Sequence, residues 1–132
     1  MSLNDLTADL LTRIRNAVRN HAPSVNCLNN KLNRGVCQVL VDEGYVKTFE
    51  VIDDGNQGVL RVELKYGPRG EQILHTIDRV SKVGRREYCK VVDLPRPMQG
   101  LGMAVVSTSR GVLSDRRCRE EKVGGEVVAI VT

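Results

Sequence analysis

Aromatic side chains are scarce in this 132-residue chain: they make up 3% of it, and tryptophan is absent. A core must therefore be built from Val, Leu and Ile, and a hydrophobic content of 41% supplies enough of them. Long apolar runs are missing too, which excludes a membrane-spanning helix. The opening MSLNDLTADLL has acids where an export signal would carry positive charge, so a soluble, unexported, cytoplasmic protein is expected. Histidine occurs only at His21 and His75, and neither has a neighbouring acid to orient it. The four cysteines, Cys27, Cys37, Cys89 and Cys118, form no C-x-x-C and have no histidine at ligand spacing. Reduced thiols, with no metal and no cofactor, are therefore expected.

What is present is charge, unevenly spread. Residues 1–66 carry eight Lys/Arg and eight Asp/Glu, whereas residues 67–132 carry twelve Lys/Arg against eight Asp/Glu. The whole net charge of +4 thus lies in the second half. A one-sided basic excess points toward a polyanionic partner, although a solvated surface accounts for it as well.

Hydrophobic spacing predicts a helix over 5–20, with Leu6, Leu10, Ile14 and Ala17 as its apolar stripe. Asn4 or Asp5 is its cap, and Asp9, Thr12, Arg13 and Asn16 face outward. Pro23 breaks it. A second helix is expected over 29–43, with Leu28, Leu32, Val36, Val39 and Leu40 on one face and Gly44 as C-terminal cap. YVKTFEVI and VLRVELKY then read as a hairpin around DDGNQG. GPRGEQ, residues 67–72, reads as a linker between halves. Beyond it, ILHTIDRV is expected as a strand that half-buries His75, and RREYCKVV as a second. DLPRPMQG is a loop, because Pro95 and Pro97 exclude a central strand. GLGMAVVS is a strand, SDRRCREEK a short helix capped by Ser114, and EVVAIVT the last strand. The fold class is mixed α/β (α+β): an N-terminal αβαββ-type half, residues 1–66, packed on a mainly β C-terminal half, residues 73–132, with one short helix.

Within VVSTSRG, three hydroxyls in a row, Ser107, Thr108 and Ser109, follow an apolar run. A helix cap sits immediately before its helix, and Ser114 fills that role better. Catalysis would need a base beside a hydroxyl and a strained turn such as G-x-S-x-G, and neither is found, so no catalytic residue is assigned. Gly100-Leu101-Gly102 follows a proline-rich loop and precedes a strand, the reverse of a dinucleotide fingerprint. A polar turn and a recognition surface remain. Short hydroxyls on a stiff loop reach a ribose 2′-OH or a base edge, while neighbouring cations hold the phosphates. Arg110, Arg116, Arg117 and Arg119 are near in sequence, and Arg85 and Arg86 are candidates to join them in the fold. Gly124 and Gly125 permit close approach of the backbone to a partner, and Glu126 would accept hydrogen bonds from base amino groups. Equally, the glycines would end a helix and Glu126 would point to water. Tyr88 is a base-stacking residue or part of the core.

DLTADLLTRIRNA, GRREY and GLGMAVVSTSRGVLSDRRCREEKVGGEVVAIVT together resemble the bacterial small-subunit ribosomal protein eight family, nearly end to end and in the same order. The resemblance implies a two-domain, non-enzymatic ribosomal protein. Its partners would be ribosomal RNA in the central domain of the small subunit, neighbouring small-subunit proteins and, for feedback repression, its own operon's messenger. It implies early binding during assembly and a role in folding an irregular RNA helix. Residue by residue, it carries RNA contact to Ser107, Thr108, Ser109 and Arg110, to Gly124, Gly125 and Glu126, and to Arg85, Arg86, Tyr88 and Arg116. In the first half it carries contact to Thr12, Arg13, Arg15, Asn16 and Lys31. Two departures stand out: Leu6 replaces a usual proline, and Ala-Ile-Val-Thr replaces a tail that usually holds aromatics. A protein-binding assembly factor without direct RNA recognition is the alternative, and an enzyme acting on a phosphorylated ligand is a more distant one.

Overall fold

A computed structural model describes residues 5–82 and 84–132. The chain forms two compact units, Met1–His75 and Thr76–Thr132. Among the described residues there are three α-helices and eight strands, in a mixed α/β arrangement with antiparallel sheets.

The first unit follows the order α1 (Leu6–Arg19), β1 (Ser24–Leu28), α2 (Lys31–Asp42), β2 (Val46–Ile52) and β3 (Val59–Leu64). Asp5 caps α1 by accepting from the Ala8 amide at 2.9 Å; Asn4, the other expected cap, lies outside the described residues. The buried face of α1 is Leu10, Leu11, Ile14 and Val18, with Thr7 and Asp9 beside them. It is therefore turned away from the expected stripe, and Asp9 is buried rather than outward. Two contacts account for this. The Thr7 hydroxyl donates to Asn33 Oδ1 of α2 at 3.0 Å, and Asp9 Oδ2 accepts from Arg13 Nε at 2.8 Å. Asn33 is itself fully buried and donates to the Leu28 carbonyl at 2.9 Å. Leu28 belongs to β1, not to the second helix. Asn30 caps α2 through the Asn33 amide, and Gly44, at φ 82°, follows the helix end. The strands lie in the order β1-β3-β2, all antiparallel. Leu60, Val62 and Leu64 line the buried face, as the alternation in β3 predicts. Burying each such side chain contributes ~1.5–3 kcal/mol relative to exposure. Residues 67–72 form a turn inside this unit, closed by the Gly67 amide on the Glu71 carbonyl at 2.8 Å.

The second unit comprises β4 (Ile77–Arg79), β5 (Tyr88–Cys89), β6 (Met103–Thr108), β7 (Gly111–Ser114), α3 (Asp115–Glu121) and β8 (Gly125–Val131). β8 and β6 form the centre of the sheet, with β7 outside β6, and β4 and β5 both pairing with β8. The strand expected over 73–80 shrinks to three residues, and His75 is exposed. The strand expected over 85–92 shrinks to two and passes into a 3-10 turn at Val91–Asp93. β7 was not expected; at four residues, opening on glycine, it carries little pattern. α3 packs on one face of the sheet, where Cys118 joins Ala104, Val106, Val127 and Leu94. Ser114 caps α3 through the Arg117 amide at 3.2 Å, as expected.

Candidate nucleic-acid interface

The hydroxyl triplet sits where β6 turns into β7. Thr108 pairs with Gly111, so Ser109 and Arg110 are the tip of a two-residue hairpin. Gly111 takes φ 107°, a conformation that glycine adopts without steric cost. The Thr108 hydroxyl is spent inside the turn: it donates to the Gly111 carbonyl at 2.7 Å and accepts from the Arg110 amide at 3.0 Å. The hydroxyls of Ser107 and Ser109 bond to none of the described residues. The triplet thus divides into one brace and two unspent hydrogen-bonding groups.

Register sets the neighbours. Ser107 of β6 faces Glu126 of β8, and Glu126 faces Tyr88 of β5. Directly opposed residues share a sheet face, so Tyr88, Glu126 and Ser107 form one row across three strands. Val106 and Val127 alternate to the other face, which α3 covers. Tyr88 is 71% exposed and is not a core residue. Glu126 neither points freely into water nor stands alone: Oε2 accepts from Ser81 Oγ at 2.7 Å and from Arg86 Nη1 at 3.2 Å. Ser81, which follows β4 and carries no sequence-predicted role, accepts in turn from the Glu87 amide at 3.2 Å. Nothing in its sequence context signals that role; only the fold brings it to Glu126. Arg85 pairs with Glu87 at 3.2 Å on the same turn.

Gly124 and Gly125 do not form the helix terminus, because Lys122 takes the left-handed conformation there at φ 58°. They admit β8 between its neighbours. A Cβ on Gly125 would collide with the Ser107 carbonyl, and one on Gly124 with the Cys89 carbonyl. The close approach they allow is therefore met inside the protein.

Ser107, Thr108, Ser109, Arg110, Gly124, Gly125, Glu126, Arg85, Arg86 and Tyr88 all gather at this end of the sheet. Arg116 is exposed on α3, on the element covering the opposite face. Arg110 reaches toward α3 and pairs with Glu121 at 3.4 Å. Arg119 is a structural clamp that binds Asp115 and the Leu94 and Pro95 carbonyls. In the first unit, Thr12 and Asn16 are exposed one turn apart on α1, Arg15 is half-buried, and Lys31 is exposed as the first residue of α2. Arg13 is held by Asp9 and lies 3.5 Å from the Asn26 carbonyl on the outer strand β1.

Comparison with known proteins decides the family. The model of ribosomal protein S8 matches residues 5–132. The chain belongs to the ribosomal protein S8 family. It is accordingly a structural constituent of the ribosome and not an enzyme. Proteins named small ribosomal subunit protein uS8 from Caldicellulosiruptor bescii, Lactobacillus delbrueckii subsp. bulgaricus and Streptococcus pneumoniae are 44%, 45% and 47% identical to it. In each case 99% of both chains is covered. This S8-family chain carries the row Tyr88–Glu126–Ser107 in the unit with the greater basic excess.

Proposed function

We propose that this chain, a constituent of the small subunit of the cytoplasmic ribosome, binds ribosomal RNA directly in the subunit's central domain and supports its folding during assembly. The observation that carries the reading is the pair of unspent hydroxyls, Ser107 and Ser109, at the end of a rigid sheet. Beside them stand an exposed Tyr88 and a basic turn. Hydroxyls read shape and hydrogen-bonding pattern without adding charge, Tyr88 offers a stacking plane, Arg86 offers directed N–H donors, and Arg85, Arg110 and Arg116 supply attraction for phosphate. Thr12, Arg13, Arg15, Asn16 and Lys31 form a second contact region, on the first unit. Binding of a similar RNA shape in its own operon's messenger would give feedback repression. Neighbouring small-subunit proteins complete its partners.

Filter binding to a transcript of the central domain, with a scrambled hairpin as control and at two salt concentrations, tests this. The cognate transcript should bind more tightly, and both affinities should fall as salt rises, by a slope of ~0.7–0.9 per phosphate neutralised. Equal affinity for both RNAs would remove the recognition role. Failure to bind either would leave the alternative, a purely protein-binding assembly factor.

A further inference from the structure

Resting on that RNA-binding reading, we propose that Glu126 is a positioning residue that sets specificity through Arg86 rather than by touching RNA. The two halves of the ion pair are held unequally. Ser81 is fully buried, is fixed by the Glu87 amide and donates to Glu126 Oε2, so the carboxylate is anchored from the protein side. The Glu126 side chain is only 17% exposed, whereas that of Arg86 is 43% exposed. Among the described residues Arg86 has no partner but Glu126. The carboxylate is thus a fixed post, and Arg86 is tethered to it.

Two consequences follow for a polyanion arriving at this surface. Each arginine of the basic turn already has a carboxylate, Arg85 with Glu87 and Arg86 with Glu126. A phosphate offering charge alone therefore gains little from Arg86, because it must compete with a counter-ion already in place. The tether also holds the guanidinium beside the row of Tyr88, Glu126 and Ser107, where its remaining N–H donors stay in a constant direction. An RNA whose shape brings an acceptor to that place uses those donors without breaking the pair. Discrimination then comes from suppressing binding to the wrong RNA as much as from favouring the right one.

Wild type, Glu126→Gln, Arg86→Gln and the double variant should be compared on the central-domain transcript and the scrambled hairpin over a salt series. Glu126→Gln should release Arg86. Affinity for the scrambled hairpin should rise about 3–10-fold at low salt, and its salt slope should steepen by ~0.7–0.9, the value of one added phosphate contact. The ratio of cognate to scrambled affinity should fall. The double variant should match Arg86→Gln alone in that ratio. Unchanged slope and ratio in Glu126→Gln overturn the inference, and so do losses that simply add, since Glu126 would then meet RNA itself. Should Glu126→Gln unfold, the exposed Arg86→Gln decides: its scrambled-hairpin slope should equal that of wild type, and a shallower one refutes the tether. Wild type is measured first. If it fails to distinguish the two RNAs, the recognition reading falls; if it succeeds and the variants behave otherwise, only the tether does.

Discussion

Arg119 Nη1 donates to Asp115 Oδ2 at 2.6 Å across one turn of α3, and Asp115 is 4% exposed. The other carboxylate oxygen, Oδ1, accepts from the buried Ala104 amide of β6 at 3.0 Å. Arg119 Nη2 in turn bonds the Pro95 carbonyl at 2.9 Å. One ion pair therefore joins helix, central strand and proline-rich loop. Replacing Asp115 by Ala leaves a buried amide without its acceptor and a guanidinium without its carboxylate. Urea unfolding should show a loss of ~1–3 kcal/mol, the cost of leaving the buried Ala104 amide without its acceptor, while Arg119 keeps its two carbonyl partners. Arg116→Ala, on the same helix but exposed, should stay within ~0.5 kcal/mol of wild type.

The hydroxyl triplet should separate stability from binding. Thr108→Ala removes the brace of the hairpin tip and should cost ~1 kcal/mol in unfolding measurements, the net worth of an ordinary hydrogen bond. Ser107→Ala and Ser109→Ala remove groups that bond to none of the described residues, so melting should barely change. Cognate RNA affinity should nevertheless fall by ~1–3 kcal/mol for the pair, the range for a lost partner in a buried contact. A Ser107/Ser109 double alanine variant with wild-type affinity would rule out the reading role.

Local pattern carried much of this fold into view. The alternation of Leu60, Val62 and Leu64 marks a half-buried strand, and Ser114 followed by Asp115 marks a helix start. Both stand as the sequence predicts. Long-range contacts were out of its reach. Asp9 reads as outward from its place on α1, yet Arg13 draws it into a pair at the edge of the core. Four residues of β7 leave no readable period. Clustering Ser107 to Ser109 with Gly124 to Glu126 was legible from residue chemistry and family resemblance. The tie from Glu126 to Ser81 was not, because 45 residues separate them and only strand pairing brings them together.

The two glycines before Glu126 make a steric prediction. Gly125→Ala would drive a methyl group into the Ser107 carbonyl, and Gly124→Ala into that of Cys89. Both obstacles are main chain within a sheet, so a side-chain rotation cannot relieve them. Each variant should lose ~1–3 kcal/mol, the cost of overpacking, and should lose cognate RNA affinity together with stability. Gly84→Ala, with nothing within 4 Å of the added carbon, serves as the silent control.

Buried thiols give the chain an alkaline limit. Burial pushes the Cys27 and Cys37 thiols up from 9.0 to about 12, and that of Cys118 from 9.0 to about 11. Each is free of disulfide and buried, while Cys89 is half-buried. A thiol that stays protonated when folded but ionises near 9.0 when unfolded favours the folded chain fully while both forms keep the proton, and progressively less once the unfolded form loses it. That contribution is complete below pH 9.0 and is lost as pH rises toward about 12 for Cys27 and Cys37. Each such thiol steepens the loss of stability by up to ~1.4 kcal/mol per pH unit. Urea unfolding in reducing buffer across this interval should show the decline, and Cys37→Ala should flatten it relative to wild type. Below pH 9.0 the native protein should react with a thiol reagent first at Cys89, and the other three should wait for unfolding. Equal reactivity of all four, or a Cys37→Ala slope identical to wild type, would show that these thiols are not held in a dry interior.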